Sequence, residues 1–228
     1  ITGGTFFNLK YQEDAVRLGI ETIRKHNGAI IADVVGLGKS IIGATVARNL
    51  DLRTLIIAPP HLVKQWEDYS IAFGVRGTMV RSRGNMKQIL EDYRQMHNSG
   101  EEWLVVVDEA HGFRNEYIKD YAILHELCQG NKVLLLTATP FNNRPEDIYA
   151  MIKLFQIPSR STLQTVSSLG AEFAHWIEVY KELRSKQRKR AIPESEAKIA
   201  IDSIGQHIRK IIEPLVIRRS RIDLEKIP

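Results

Sequence analysis

Two short runs in the sequence combine residue types that can do phosphate chemistry. The first is Asp33-Val34-Val35-Gly36-Leu37-Gly38-Lys39-Ser40. Backbone N–H groups reach phosphate oxygens only where side chains are absent, which Gly36 and Gly38 provide around Leu37. Lys39 would bring a positive charge to the β- and γ-phosphates, and the Ser40 hydroxyl would ligate magnesium. The second run is Val105-Val106-Val107-Asp108-Glu109-Ala110-His111, an apolar stretch that ends on two acids. Asp108 would hold magnesium through water. Glu109 would orient and polarise an attacking water. ATP and Mg2+ are therefore the cofactors to expect, with Glu109, Lys39 and Asp108 as the catalytic set and Ser40 and Asp108 on the metal. Each run also has a plainer reading, a glycine-rich turn with a chance lysine and two acids that solvate a strand end. The general phosphate-loop pattern asks for glycine where Asp33 stands, so the strict motif fails at one position.

These side chains converge only if particular elements carry them. Ala29 to Ala32 is a short apolar run and reads as a buried strand that feeds the glycine loop, with a helix from Ser40 to Asn49 after it. The rhythm repeats. Strands are expected at 54–58, 104–107 and 133–136, with a short one at 77–80. Helices are expected at 11–26, 62–73, 86–97, 117–128 and from Pro145 to about Phe155. Apolar strands alternating with amphipathic helices imply a mainly parallel sheet covered on both faces. Ligands on such sheets bind at the carboxyl ends of the strands, where both runs would sit. From Ser161 to Ile212 the chain turns helical and more charged. It contains the basic run Arg184-Ser185-Lys186-Gln187-Arg188-Lys189-Arg190 and reads as a helical appendage.

The chain has 228 residues, 43% of them apolar, enough for one large domain or one domain and an appendage. A net charge of +5 fits a polyanionic partner without requiring one. Cys128 is the only cysteine, which excludes an intrachain disulfide and suits a reducing compartment. No apolar run approaches the length of a membrane span. Ile1 is not an initiator, and the sequence reads as a piece of something longer.

Several motifs together resemble a known family. Asp108-Glu109-Ala110-His111 is similar to the second motif of superfamily-two helicases and translocases, and Leu136-Thr137-Ala138-Thr139-Pro140 to their third. Tyr11-Gln12 resembles the glutamine element that reads adenine. The chain looks most like the SNF-type branch of DNA translocases. That branch carries an Asp at the place of Asp33, a Pro-x-x-Leu-x-x-x-Trp element like Pro59 to Trp66, and a double-arginine segment like Leu215 to Asp223. The resemblance implies a RecA-like P-loop lobe over residues 1–157, a helical protrusion over 158–213, and a connector over 214–228 toward a second RecA-like lobe. It implies an ATP-driven motor on double-stranded DNA, with nucleotide contacts from Gln12, Gly36, Leu37, Gly38, Lys39 and Ser40. It also implies coupling through His111, Thr137 and Thr139, and DNA near Pro60, His61 and Lys64. Work in a bacterial cytoplasm is expected ahead of a nucleus.

The second lobe would supply the arginine finger, a group that contributes ~10³–10⁵ in rate. This lobe alone is thus expected to bind ATP loosely and turn it over slowly. Ser40 replaces the branch's usual Thr, and Ala138 its usual Gly. No Ser-Tyr-like segment precedes the acidic run, and the interval from Val80 to Trp103 is short for the branch. Two other readings stay open: a strand-separating superfamily-two helicase of another branch, and a nucleotide-regulated nucleic-acid-binding module without useful hydrolysis. For several residues the plain reading competes. Trp66 on an amphipathic helix reads as core, Lys64 as a solvated helix residue, and the run 184–190 as an exposed face of a helical hairpin.

Overall fold

A computed structural model describes residues 10–33, 38–138 and 144–219. The elements run in the order α1 (Lys10–His26), β1 (Gly28–Asp33), α2 (Lys39–Leu50), β2 (Arg53–Ala58), α3 (Val63–Phe73), β3 (Met79–Ser82), α4 (Met86–Met96), β4 (Trp103–Val107), α5 (Lys119–Cys128), β5 (Lys132–Thr137), α6 (Pro145–Lys153), α7 (Leu169–Arg188), α8 (Glu194–Ile212) and β6 (Val216–Arg219). The six strands form one sheet in the order β3-β2-β4-β5-β1-β6. Every ladder is parallel. The carboxyl ends of all the strands therefore share one edge, as the alternation of strands and helices predicts.

Side chains alternate across a strand, and the core splits accordingly. Ile31, Ile56, Val106, Leu134 and Leu136 point to one face, where α1, α2 and α3 cover them. Ile30, Ile57, Val105, Val107, Val133 and Leu135 point to the other, under α4, α5 and α6. Both faces are dry, which is why these strands read as unbroken apolar runs. The helical hairpin α7–α8 is built into the second face. Phe173, Tyr180, Ile204 and Ile208 belong to the same continuous core as the sheet residues. Tyr149 of α6 stacks on Phe173 with ring centroids 4.6 Å apart.

Local chemistry sets the helix starts. Asn85 accepts the Gln88 N–H ahead of α4, and Ser168 accepts the Ala171 N–H ahead of α7. Pro145 opens α6, where its missing N–H costs nothing. Most element ends fall within two residues of the sequence expectation, and three differences bear on the fold. The third strand begins at Met79, because residues 76–77 form a turn. Helix α5 begins at Lys119, leaving Tyr117 in the preceding loop and 89% exposed. The stretch from Val216 to Arg219, read from sequence within a connector, is a sheet strand that pairs with β1 through Ile30↔Val216 to Asp33↔Arg219.

Candidate active site

Gly36 and Leu37, read from sequence as part of a phosphate loop, lie outside the described residues, as does Thr139. Gln12 falls in the first turn of α1. The far side of the loop is described. Gly38 adopts φ 76, ψ 35, a left-handed conformation that glycine takes without penalty. Its carbonyl accepts the Ile42 N–H at 3.0 Å, so α2 is hydrogen-bonded from its first turn. Lys39 and Ser40 are half-buried residues of that turn. The first-turn N–H groups and positive dipole end of a helix there favour an anion.

Two strands away, β4 delivers the acids. Register places Val107 opposite Ile57 on one side and Leu135 on the other. Asp108 continues that line, with its N–H donating to the Ile57 carbonyl at 2.9 Å. Its carboxylate is 3% exposed and both oxygens are engaged. Oδ1 accepts the Glu109 N–H at 2.8 Å, and Oδ2 accepts the indole N–H of Trp66 at 2.8 Å. Trp66 is core, as its helix position predicts, but its polar end belongs to the site. Sequence could not reveal this, because the contact joins α3 to the end of β4.

Glu109 sits at φ 51, ψ 49, a left-handed backbone that costs a non-glycine residue roughly 1–2 kcal/mol. The bend turns the chain sharply away from the sheet into a short 3-10 turn at Ala110–Phe113. It brings Glu109 Oε2 within 3.1 Å of His111 Nδ1. That approach lacks hydrogen-bond alignment, since among the described residues Nδ1 has no bonded partner. The pair is close, partly exposed and unlocked, whereas Asp108 is locked.

Thr137 ends β5 beside Ala32 of β1. It is fully buried, and among the described residues its Oγ1 has no hydrogen-bond partner. An unmet hydroxyl in a dry core costs about 1–3 kcal/mol, which makes it a poor structural choice at that position. His111 and Thr137 thus both present an unpartnered polar atom on the edge that carries Asp108.

The oxygen-only donor set of Ser40 and Asp108 suits magnesium. Among the described residues no cluster of three or more His, Cys, Asp or Glu could hold an ion without help. Magnesium characteristically takes one or two protein ligands, with waters and phosphates completing the shell. The residues fit an ion that arrives with its nucleotide.

Pro60 and His61 form an exposed 3-10 turn after β2, on the same edge. Lys64 is exposed and lies 2.9 Å from Asp68 on its own helix, a partner that any phosphate must displace. The basic run likewise ends α7. Lys186 pairs with Glu182 at 2.7 Å, and Arg184 bonds the Tyr180 hydroxyl and Gln187. A groove of about 1230 Å³ lies where α6, α7 and α8 meet residues 114–117. Its lining carries both signs of charge, Arg144, Lys181 and Arg184 together with Glu116, Asp147 and Asp202, and it includes neither Lys39 nor Asp108.

Comparison with known proteins gives a family and a fold. The family described as the SNF2-related domain matches residues 84–228, and the type III restriction enzyme res subunit matches residues 7–142. An uncharacterized ATP-dependent helicase of Bacillus subtilis, YqhH, is 31% identical over 156 residues, covering 60% of this chain and 28% of its own length. The ATP-dependent DNA helicase DDM1 of Arabidopsis thaliana is 25% identical over 256 residues, covering 99% of this chain and 32% of its own. The chain thus spans about a third or less of these two relatives. The Sulfolobus solfataricus SWI2/SNF2 ATPase core, solved in complex with dsDNA, shares the fold with a TM-score of 0.67 at 21% identity. That match covers 96% of this chain and 46% of the solved one.

Proposed function

Because the chain belongs to the SNF2-related domain family, we propose that it is the ATP-binding lobe of a DNA-dependent ATPase that translocates on double-stranded DNA. The observation that carries this reading is the end of β4, where a locked buried carboxylate is followed by an unlocked one on a strained backbone. Both lie on the edge that bears the phosphate-loop helix. Lys39 binds the β- and γ-phosphates, Gly36, Leu37 and Gly38 wrap them, and Gln12 reads the adenine. Ser40 and Asp108 hold magnesium, which supplies charge neutralisation at the phosphates. Glu109 accepts the proton of the attacking water, and His111 and Thr137, with Thr139, report the state of the phosphates to the DNA side. Pro60, His61 and Lys64 face the DNA backbone.

In this reading residues 1–157 are the motor lobe, 158–213 a protrusion and 214–228 the path toward a second RecA-like lobe that completes the ATP cleft. Support for that partner is the share of the solved SWI2/SNF2 core that this chain covers, 46%. The test is ATP hydrolysis by the full-length protein with and without double-stranded DNA. Stimulation by duplex, lost in Glu109→Gln with ATP binding retained, is the expected result. Hydrolysis that survives Glu109→Gln would overturn the assignment of the base. The match of residues 7–142 to the res subunit family favours a second reading, a strand-separating helicase. Displacement of a labelled strand by the full-length protein would select it.

A further inference from the structure

Trp66 belongs to none of the elements that would hold nucleotide, yet it touches two of them. At one edge of its ring, Nε1–H donates to Asp108 Oδ2 at 2.8 Å, with both residues buried. At the other edge, Cη2 lies so near α2 that a Cβ on Gly43 would come within 3.0 Å of it. Leu136 Cδ1 closes the same spot at 3.1 Å, so only a glycine lets α2 settle this close. Gly43 is one turn beyond Lys39 and Ser40 on the same helix. A single rigid ring therefore spans from the helix of the phosphate loop to the acid at the end of β4.

The bond itself is informative. An indole nitrogen donates and never accepts, so Oδ2 must present a lone pair to it. Donors to a carboxylate make the stronger class of hydrogen bond, and burial strengthens them further. With Oδ1 fixed by the Glu109 N–H, the carboxylate plane cannot rotate without breaking a buried bond. The other two indoles give the contrast. Trp103 Nε1 is buried without a partner, and Trp176 Nε1 bonds Glu172 on its own helix at 3.2 Å. Among the three, only Trp66 spends its N–H on a carboxylate from another element.

We propose that Trp66 is a positioning residue for ATP hydrolysis. It sets the separation between α2 and the end of β4, and it orients Asp108 so that the free lone pairs of the carboxylate face the metal side. This rests on the reading of Ser40 and Asp108 as magnesium-side ligands. Removing a partner that orients a metal-binding carboxylate typically costs 10–100-fold in metal affinity or activity.

The test uses the full-length protein with two changes at position 66. Trp66→Phe removes the N–H and part of the ring. Benzothienylalanine at the same position replaces the N–H by sulfur and keeps the bulk, which covers the case where the Phe variant fails to fold. The expected result is a rise of about tenfold in the magnesium concentration for half-maximal hydrolysis and a fall in kcat of about tenfold or more. The KM for ATP should stay within about threefold, because Lys39 and the loop are untouched. A second readout is independent of turnover. In protein labelled with 5-fluorotryptophan, the ¹⁹F signal lost in Trp66→Phe should shift when magnesium is added to the ADP complex, and should not shift in Asp108→Asn. A normal magnesium requirement in the folded benzothienylalanine protein, or a Trp66 signal blind to magnesium, overturns the proposal while leaving the ATP site reading intact. A fully active Asp108→Asn removes that reading and the proposal with it.

Discussion

The carboxyl edge of the sheet and the basic end of α7 are both dense in charge, and they are built in opposite ways. At the end of α7, Lys186 finds Glu182 and Arg184 finds Tyr180 and Gln187, all within one helix. Positive residues there also complement the helix dipole. At the sheet edge, groups from β4, α3, α2 and β5 are brought together and left incomplete. Among the described residues Thr137 Oγ1 and His111 Nδ1 lack partners there. The left-handed backbone of Glu109 does not set the edge apart, since Arg190 in the basic run has φ 54 as well. Charge density alone does not mark a site. A single orphaned polar atom does not mark one either, since Trp103 Nε1 is unmet at the opposite end of β4; two of them beside a buried, hydrogen-bonded carboxylate are the stronger sign.

The comparison can be broken first at Glu109. In the full-length protein, Glu109→Gln should lower DNA-stimulated turnover by about 10²–10⁴, measured by phosphate release, with nucleotide still bound. Unchanged turnover would make the strained acid structural. Next comes Thr137→Val, which deletes the unpaired hydroxyl at nearly constant shape. Stability in urea should rise by about 1 kcal/mol while DNA stimulation of ATPase falls. A loss of stability would show that the hydroxyl has a hidden structural partner.

A smaller effect is expected at His26, a buried polar group far from the chemistry and bonded to Thr162 at 2.7 Å. Burial, with the charge of Lys25 beside it, lowers its pKa below the usual 6.5. The unfolded chain then takes up the proton first as pH falls. The contribution is fully present above about pH 6.5 and is lost as pH drops toward the folded-state value. The urea midpoint should decline between about pH 7.5 and about pH 5.5, and less so in His26→Gln. An equal decline in both proteins would place the titration elsewhere. The smallest effect is expected from replacing Lys186, Arg188, Lys189 and Arg190 with alanine. The slope of log affinity for duplex DNA against log salt should change by less than about one charge. A larger change would move the α7 end into the interface and undo the contrast.

Much of this edge was legible in the sequence. The parallel sheet, the start of α2 at Ser40 to within one residue and the emergence of Asp108 at the end of a buried strand all follow from local patterns. Periodicity and glycine placement act over a few residues, so they survive in a linear reading. Three features did not. A helix position reports burial, which places Trp66 in the core, and says nothing of where its indole N–H points. The left-handed bend at Glu109 is imposed by the turn to Phe113, against the preference of the residue itself. Val216–Arg219 is too short to announce itself as a strand and is defined only by its distant partner.

That last strand has a consequence for how the molecule comes into being. β1, which leads into the phosphate loop, receives one neighbour from β5 and the other from residues near the far end of the described chain. Closing so long a loop is slow compared with forming the helices and nearer ladders. On a ribosome, the outer edge of β1 stays open until residues 216–219 have emerged. An unpaired edge of Ala29-Ile30-Ile31-Ala32 invites pairing with other chains. β1 is thus made well before its outer edge is sealed, and that edge needs cover until residues 216–219 have emerged.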